Sequence, residues 1–427
     1  MQHTNVKFRA ISRAVIAVTI VGLSMAPAAV AEKDDGHGNP TMWVHVGTVT
    51  EPAVDAIRAG VTATNPTGLF ASFDISWVDN QRDFYYLADR SNNAVDVIDA
   101  IDGSFVKYLG KGDFAGVVAG TPNRSGPDGV VTDNHGNVWV GDGIKAGATH
   151  SSLKAYDPAS GAQLANIDVG GSGRADELAF GNVGGGRILI ANPNEPTGTN
   201  PTDFAFVTLV NTSTHTIIAQ VKYSDPAHTG LPAAGTGFQT FFNGTQHGLE
   251  QPAFLNGKFY LNVPATVQNT GGEIDVFDAN TAQIIQVLPL ATCGGTGLAI
   301  GPHNDLLVEC GDSFRVLDLN GQAEAPPVGE FGGSDEIWFN PGDGNVYFAL
   351  GVNATLRPGF TGGLGVYDAV HNKSLGLTTL DGAQGEHSIA VAARSGKIFI
   401  PISDNPDKGG GGVAMMHAAR VKENGDH

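Results

Sequence analysis

The sequence predicts an all-β chain folded as a seven-bladed β-propeller, with six blades as the alternative. Three observations lead there. A hairpin-like pair of apolar runs recurs seven times, and each recurrence but the last is followed by two further strand-like runs. The 59 glycines among 427 residues, about twice the usual ~7%, fall between short apolar runs and not in one linker or a collagen-like period. Self-similarity of this kind marks a repeat architecture. Four antiparallel strands per unit make a propeller blade.

The elements follow in chain order. In residues 1–31, Lys7, Arg9 and Arg13 precede an apolar run from Ala14 to Met25, then Ala29-Val30-Ala31. The run is too short to span a bilayer and ends in a small-residue cleavage pattern, so the segment reads as a secretory signal peptide. Residues 32–427 are then expected to form a single propeller domain. The β-rich run "MWVHVGTVT" (42–50) has no unit of its own.

Blade 1 (about 72–110) opens with "FDISWVDNQRDFYYLADR", and blade 2 (126–170) with "GPDGVVTDNHGNVWVGD". Blade 3 (174–224) opens with "ADELAFGNVGGGRILIANPN", and blade 4 (248–290) with "LEQPAFLNGKFYLNVPA". Blades 5 (294–333), 6 (334–383) and 7 (386–419) open with "GTGLAIGPHNDLLVECGD", "SDEIWFNPGDGNVYFALG" and "EHSIAVAARSGKIFIPISD". Each is two β-rich runs around a Gly, Asn or Asp turn, which is a hairpin signature. The fourth run of blade 5 is the Pro-rich "AEAPPVGEFGG". Blade 7 has three runs of its own, so the 42–50 run is expected to close it and remove the open edges between first and last blades. An insertion, 224–250, separates blades 3 and 4 and carries "FQTFF", a loop with three aromatics suited to contacting a protein.

The formal charge is −19, and loss of the three leader cations makes it more negative. Nucleic acid and anionic lipid both require a basic footprint, so neither is an expected partner. After residue 31 no segment is long and apolar enough to enter a membrane. The expected product is soluble and exported, periplasmic or extracellular. Folding the chain about Gly301-Pro302-His303-Asn304 brings Cys293 beside Cys310, and in an oxidising compartment the two are expected to form a disulfide. The other reading of the pair is a metal-binding or catalytic thiol couple.

In a propeller the residues just before each innermost strand ring the mouth of the axial channel. The first such position reads Phe73, Asp128, Asp176, Glu250, Thr296, Asp335 and His387; the next reads Asp74, Gly129, Glu177, Gln251, Gly297, Glu336 and Ser388. Carboxylates crowded around a narrow axis raise one another's pKa unless protons or a cation neutralise them. Oxygen-only ligands suit a hard cation, with Ca²⁺ favoured over Mg²⁺. Asn192, Asn194 and Asn262, at the exits of second strands, would complete such a shell. The same Asp residues also cap tight turns, and "PDG" in particular reads as turn chemistry. His387 in "GEHSIAV" and His247 in "TQHGLEQP" stand near the ring as candidate general bases. A histidine bonded to loop carbonyls is the competing reading. His135, His303 and His371 fall in turns elsewhere.

The stretch "GPDGVVTDNHGNVWVGD" resembles the repeats of the gluconolactonase/senescence-marker-protein family and its NHL and YVTN-type propeller relatives, in which Pro, Asp or His and Gly open the inner strand. The likeness recurs in all seven units. It implies that Asp74, Glu177, Glu250 and Glu336 hold a divalent ion that polarises a lactone carbonyl or orients water. The blade number and the Asp-Glu pairs depart from the six-bladed members of that family. Propellers host many chemistries, so fold alone does not fix activity. Three functions stand: an exported metal-dependent hydrolase of lactonase or esterase type acting on a small molecule at the channel mouth, a non-catalytic propeller binding a protein or small ligand, and a propeller lyase.

Overall fold

Short apolar runs bounded by glycine and Asx turns can bury both faces only if sheets stack on sheets, and the chain does this seven times. The computed structural model describes residues 41–49, 70, 72–193, 205–223, 248–266, 268–380, 387–403 and 412–420. Blade 1 is Phe73–Asp79, Phe84–Asp89, Ala94–Asp99 and Phe105–Leu109, hydrogen-bonded in that order. Blades 2, 3, 4 and 6 repeat the pattern, with innermost strands Val130–Thr132, Leu178–Gly181, Pro252–Leu255 and Ile337–Asn340. Each innermost strand touches that of the next blade, and Ala390–Val391 of blade 7 touches both blade 6 and blade 1, which closes the ring.

Burial follows position in the sheet. Second strands such as Val138–Asp142 and Arg187–Asn192 are buried at every residue, because neighbouring blades cover both faces. The outermost strand Gln163–Asp168 is largely exposed. Its charged and polar side chains suit a rim that water can reach.

Blade 7 closes as the orphan N-terminal run suggested. Thr41–Val49 pairs antiparallel with Gly412–Arg420 and forms the outer strand of a sheet completed by Ile398–Ile402 and Ala390–Val391. Blade 5 departs from expectation, having three strands: Leu298–Ile300, Leu306–Cys310 and Ser313–Leu317. Its fourth run makes only the isolated bridges Phe314↔Val328 and Leu317↔Ala323. Glu324 N and Val328 N still donate to Val316 O and Phe314 O. Pro326 and Pro327 between them have no N–H to continue the ladder. Phe331 fills the place instead, fully buried and stacked on Phe348 at 4.7 Å.

Cys293 and Cys310 form a disulfide, with Cα atoms 4.5 Å apart. Residues 1–31, the insertion from 224 to 247, His247 and Asn194 lie outside the described residues. Among the described residues no helix is long and apolar enough to cross a membrane.

Candidate functional site

The starts of the innermost strands build two layers around the axis. Backbone bonds stitch them: Gly129 N donates to Asp176 O, Gln251 N to Thr296 O, and Glu336 N to His387 O. Gly129 occupies the second layer because nothing larger fits; a Cβ there would lie 2.1 Å from Asp176 O.

The first layer differs from the sequence reading in blade 1. Pairing slips between Phe73, opposite Asp89, and Ser76, opposite Leu87, so a β-bulge inserts one extra residue. Asp74 thereby joins the first layer, where its ligand atoms and those of Asp128 and Asp176 all lie within 4.8 Å of one another. Phe73 turns away from the ring, buried between Phe70 at 5.2 Å and the imidazole of His387 at 4.6 Å.

Two arginines counter these carboxylates. Arg90, at the exit of the second strand of blade 1, donates from Nη2 to Asp74 Oδ2 at 2.5 Å and from Nε to Asp128 Oδ1 at 3.1 Å. Arg174, just ahead of blade 3, donates from Nε to Asp176 Oδ2 at 2.6 Å. His387 Nε2 lies 3.5 Å from Asp74 Oδ1. Burial would raise Asp74, but Arg90, His387 and Arg174 outweigh it and hold its carboxyl well below the usual range. Asp128 moves the other way, since burial together with Asp74 and Asp176 exceeds the pull of Arg90. Burial pushes Asp176 up to about 7 against Arg174. The cluster thus keeps Asp74 ionised while Asp128 and Asp176 hold protons more tightly than a solvated acid.

The second layer has no such counter-charge among the described residues. Burial raises Glu177 well above the ordinary range, reinforced by Glu336, Glu250, Asp335 and Asp176. Its Oε2 has no hydrogen-bond partner among the described residues. Glu336 is raised in the same way, by burial first and then by Asp335, Asp74 and Asp176, although Ser388 Oγ lies 2.8 Å from its Oε2. Ser388 Oγ also accepts from Ser76 N at 2.8 Å. The Gln251 side chain ties three blades, accepting from Leu298 N at 2.8 Å and Ile337 N at 3.3 Å. Below this layer the channel becomes apolar, a cavity of about 260 Å³ walled by Trp77, Phe180, Phe254, Ile300, Trp338 and Phe339, with Ser76, Gln251 and Glu336 at its polar end.

The candidates therefore separate. Asp74, Asp128 and Asp176 come together; Glu177 and Glu336 lie deeper; Asp335, raised by burial against the pull of His387, stands on the His387 side of the ring. Glu250 is half-buried, its N–H donating to Asn262 O. Asn192 and Asn262 are fully buried, bonded to Thr208 Oγ1 at 2.8 Å and to Gly297 O at 3.3 Å. His135, His303 and His371 sit exposed in turns. The four-residue set Asp74, Glu177, Glu250 and Glu336 does not converge on one point: among the described residues, the acidic trio is the group that offers three ligand atoms together. Arg90 bonds Asp74 and Asp128 and Arg174 bonds Asp176, so the trio already carries cationic partners where a resident Ca²⁺ would need free oxygens.

Arg90 and Arg174 were legible and went unread. Arg90 ends "YYLADR", one residue past the end of its second strand and next to the strand exits that hold Asn192 and Asn262. Arg174 directly precedes "ADE".

No family model matches the chain, and no curated protein matches it. Among solved structures it is similar to the WD40 domain of Neurospora crassa Pan2, with a TM-score of 0.55 and 10% sequence identity, covering 90% of this chain and 98% of that one. At that identity the likeness shows the fold alone: this chain is a seven-bladed β-propeller.

Proposed function

We propose that the acidic face of the axis is a small-molecule site whose chemistry is hydrolysis of an ester or lactone, with His387 as general base. The observation that carries this reading is the placement of His387. Its ring stacks on Phe73, its Nε2 faces the ionised Asp74, and its side chain keeps 29% exposure at the mouth. A carboxylate beside an imidazole orients the ring and stabilises the imidazolium formed when the ring takes a proton from an attacking water. Arg90 and Arg174 supply fixed positive charge on the same face, which favours the oxyanion that develops on the substrate. Export to an oxidising compartment belongs to the same proposal and is supported by the Cys293–Cys310 bridge.

Hydrolysis of a panel of small lactones and aryl esters tests it. His387→Ala is expected to lower the rate by roughly 10²-fold or more. A wild-type chain that cleaves none of the panel, or a variant as fast as wild type, refutes the hydrolase. A non-catalytic ligand-binding propeller then becomes the better reading, favoured by one specific feature: Arg90 and Arg174 are committed to carboxylates, and Arg90 ties blade 1 to blade 2.

A further inference from the structure

The far end of the axis has a different chemistry from the acidic mouth. Trp77 and Trp338 come from the two blades flanking blade 7, whose innermost strand is only Ala390–Val391, and they meet edge to face at 5.1 Å. Ala179, Ala253 and Ala299 hold the corresponding positions in blades 3, 4 and 5, so the walls stand back and leave the cavity of about 260 Å³. Trp77 Nε1 is anchored on Thr132 Oγ1 at 3.0 Å. Phe180 and Phe254 line the wall between. At the polar end stands Glu336, with Glu177 in the same layer, both 3% exposed and neither in an ion pair among the described residues. The arginines of the axis are spent on the first-layer aspartates.

We propose that this cavity binds a small hydrophobic cation, an aryl- or alkylammonium whose apolar body lies among Trp77, Phe180, Phe254 and Trp338 and whose ammonium reaches Glu336. Indole and phenyl faces attract a cation electrostatically, most strongly once water is displaced. A buried carboxyl group without a counter-ion is satisfied by a charge that arrives with the ligand. An anion gains nothing here, because burial and mutual repulsion already hold the protons on these acids and only a cation favours their ionised form. A neutral hydrophobe gains only the apolar burial. A divalent metal finds too few oxygens, because Gln251 is occupied by backbone groups and the walls are hydrocarbon. The inference does not rest on the hydrolase reading, since it concerns the other end of the axis and is measured without turnover.

Isothermal titration of the full chain with 2-phenylethylammonium and with its neutral counterpart 2-phenylethanol tests it, with tryptophan fluorescence as a second readout. The ammonium should bind at least about tenfold tighter than the alcohol. Glu336→Gln, which keeps a partner for Ser388, should abolish that preference and leave alcohol binding unchanged. Phe254→Ala should weaken both ligands. If neither compound binds at millimolar concentration, or the alcohol binds as tightly as the ammonium, the proposal is overturned. A Glu336→Gln chain that melts like wild type yet keeps the full preference overturns it as well.

Discussion

Single residues on the axis are constrained by space and by charge. At Gly129, a Cβ would press on Asp176 O at 2.1 Å, and that carbonyl is fixed by accepting from Gly129 N. Gly129→Ala should therefore destabilise the fold by about 1–3 kcal/mol, the usual cost of overpacking; a denaturant midpoint equal to wild type would contradict this. The residue scale is also where sequence reasoning reached least far. The carboxylates of the ring were visible as a pattern, since hairpin starts can be aligned by eye. The bulge that moves Asp74 was not, because Phe73-Asp74-Ile75-Ser76-Trp77 reads as regular apolar–polar alternation and carries no mark of an extra residue. Nor does the sequence say that a guanidinium from a strand exit will lie between two aspartates of neighbouring blades.

At the scale of elements, the hairpins were the legible unit and blade 5 was the exception. Its Pro-rich run was counted as a strand, yet Pro326 and Pro327 forbid the ladder. That blade carries the Cys293–Cys310 bridge, which joins the approach to its first strand to the end of its second, with a separation of 17 residues. Cross-linking a loop of that length removes freedom from the unfolded chain worth about 3 kcal/mol. The double substitution Cys293→Ser with Cys310→Ser should lower stability by about that amount, read from urea unfolding under oxidising conditions. A loss within error of zero would mean the three-stranded sheet holds without its bridge.

At the scale of the whole molecule, buried acids set the response to pH. Burial pushes Asp89 up to about 6 and Glu309 up to about 7, and Asp176 stands at about 7. In the unfolded chain these groups titrate near 4. Between about pH 4 and 7 the native state therefore binds more protons than the unfolded one, and stability falls as pH rises through that window. Turn aspartates such as Asp278 and Asp318 are held low by backbone N–H donors, with burial opposing weakly. Their contribution is present above about pH 4 and is lost only in stronger acid. The melting temperature should thus be higher at pH 5 than at pH 8, and a rise in the opposite direction would show that the buried acids are not the controlling groups. Blade number and ring closure were readable in advance because they depend on counting strands. The pairing of Thr41 with Arg420 has a temporal meaning as well. Among the described residues the first strand to be synthesised has to wait for the last, so the other blades can pair internally as they emerge while the ring itself stays open.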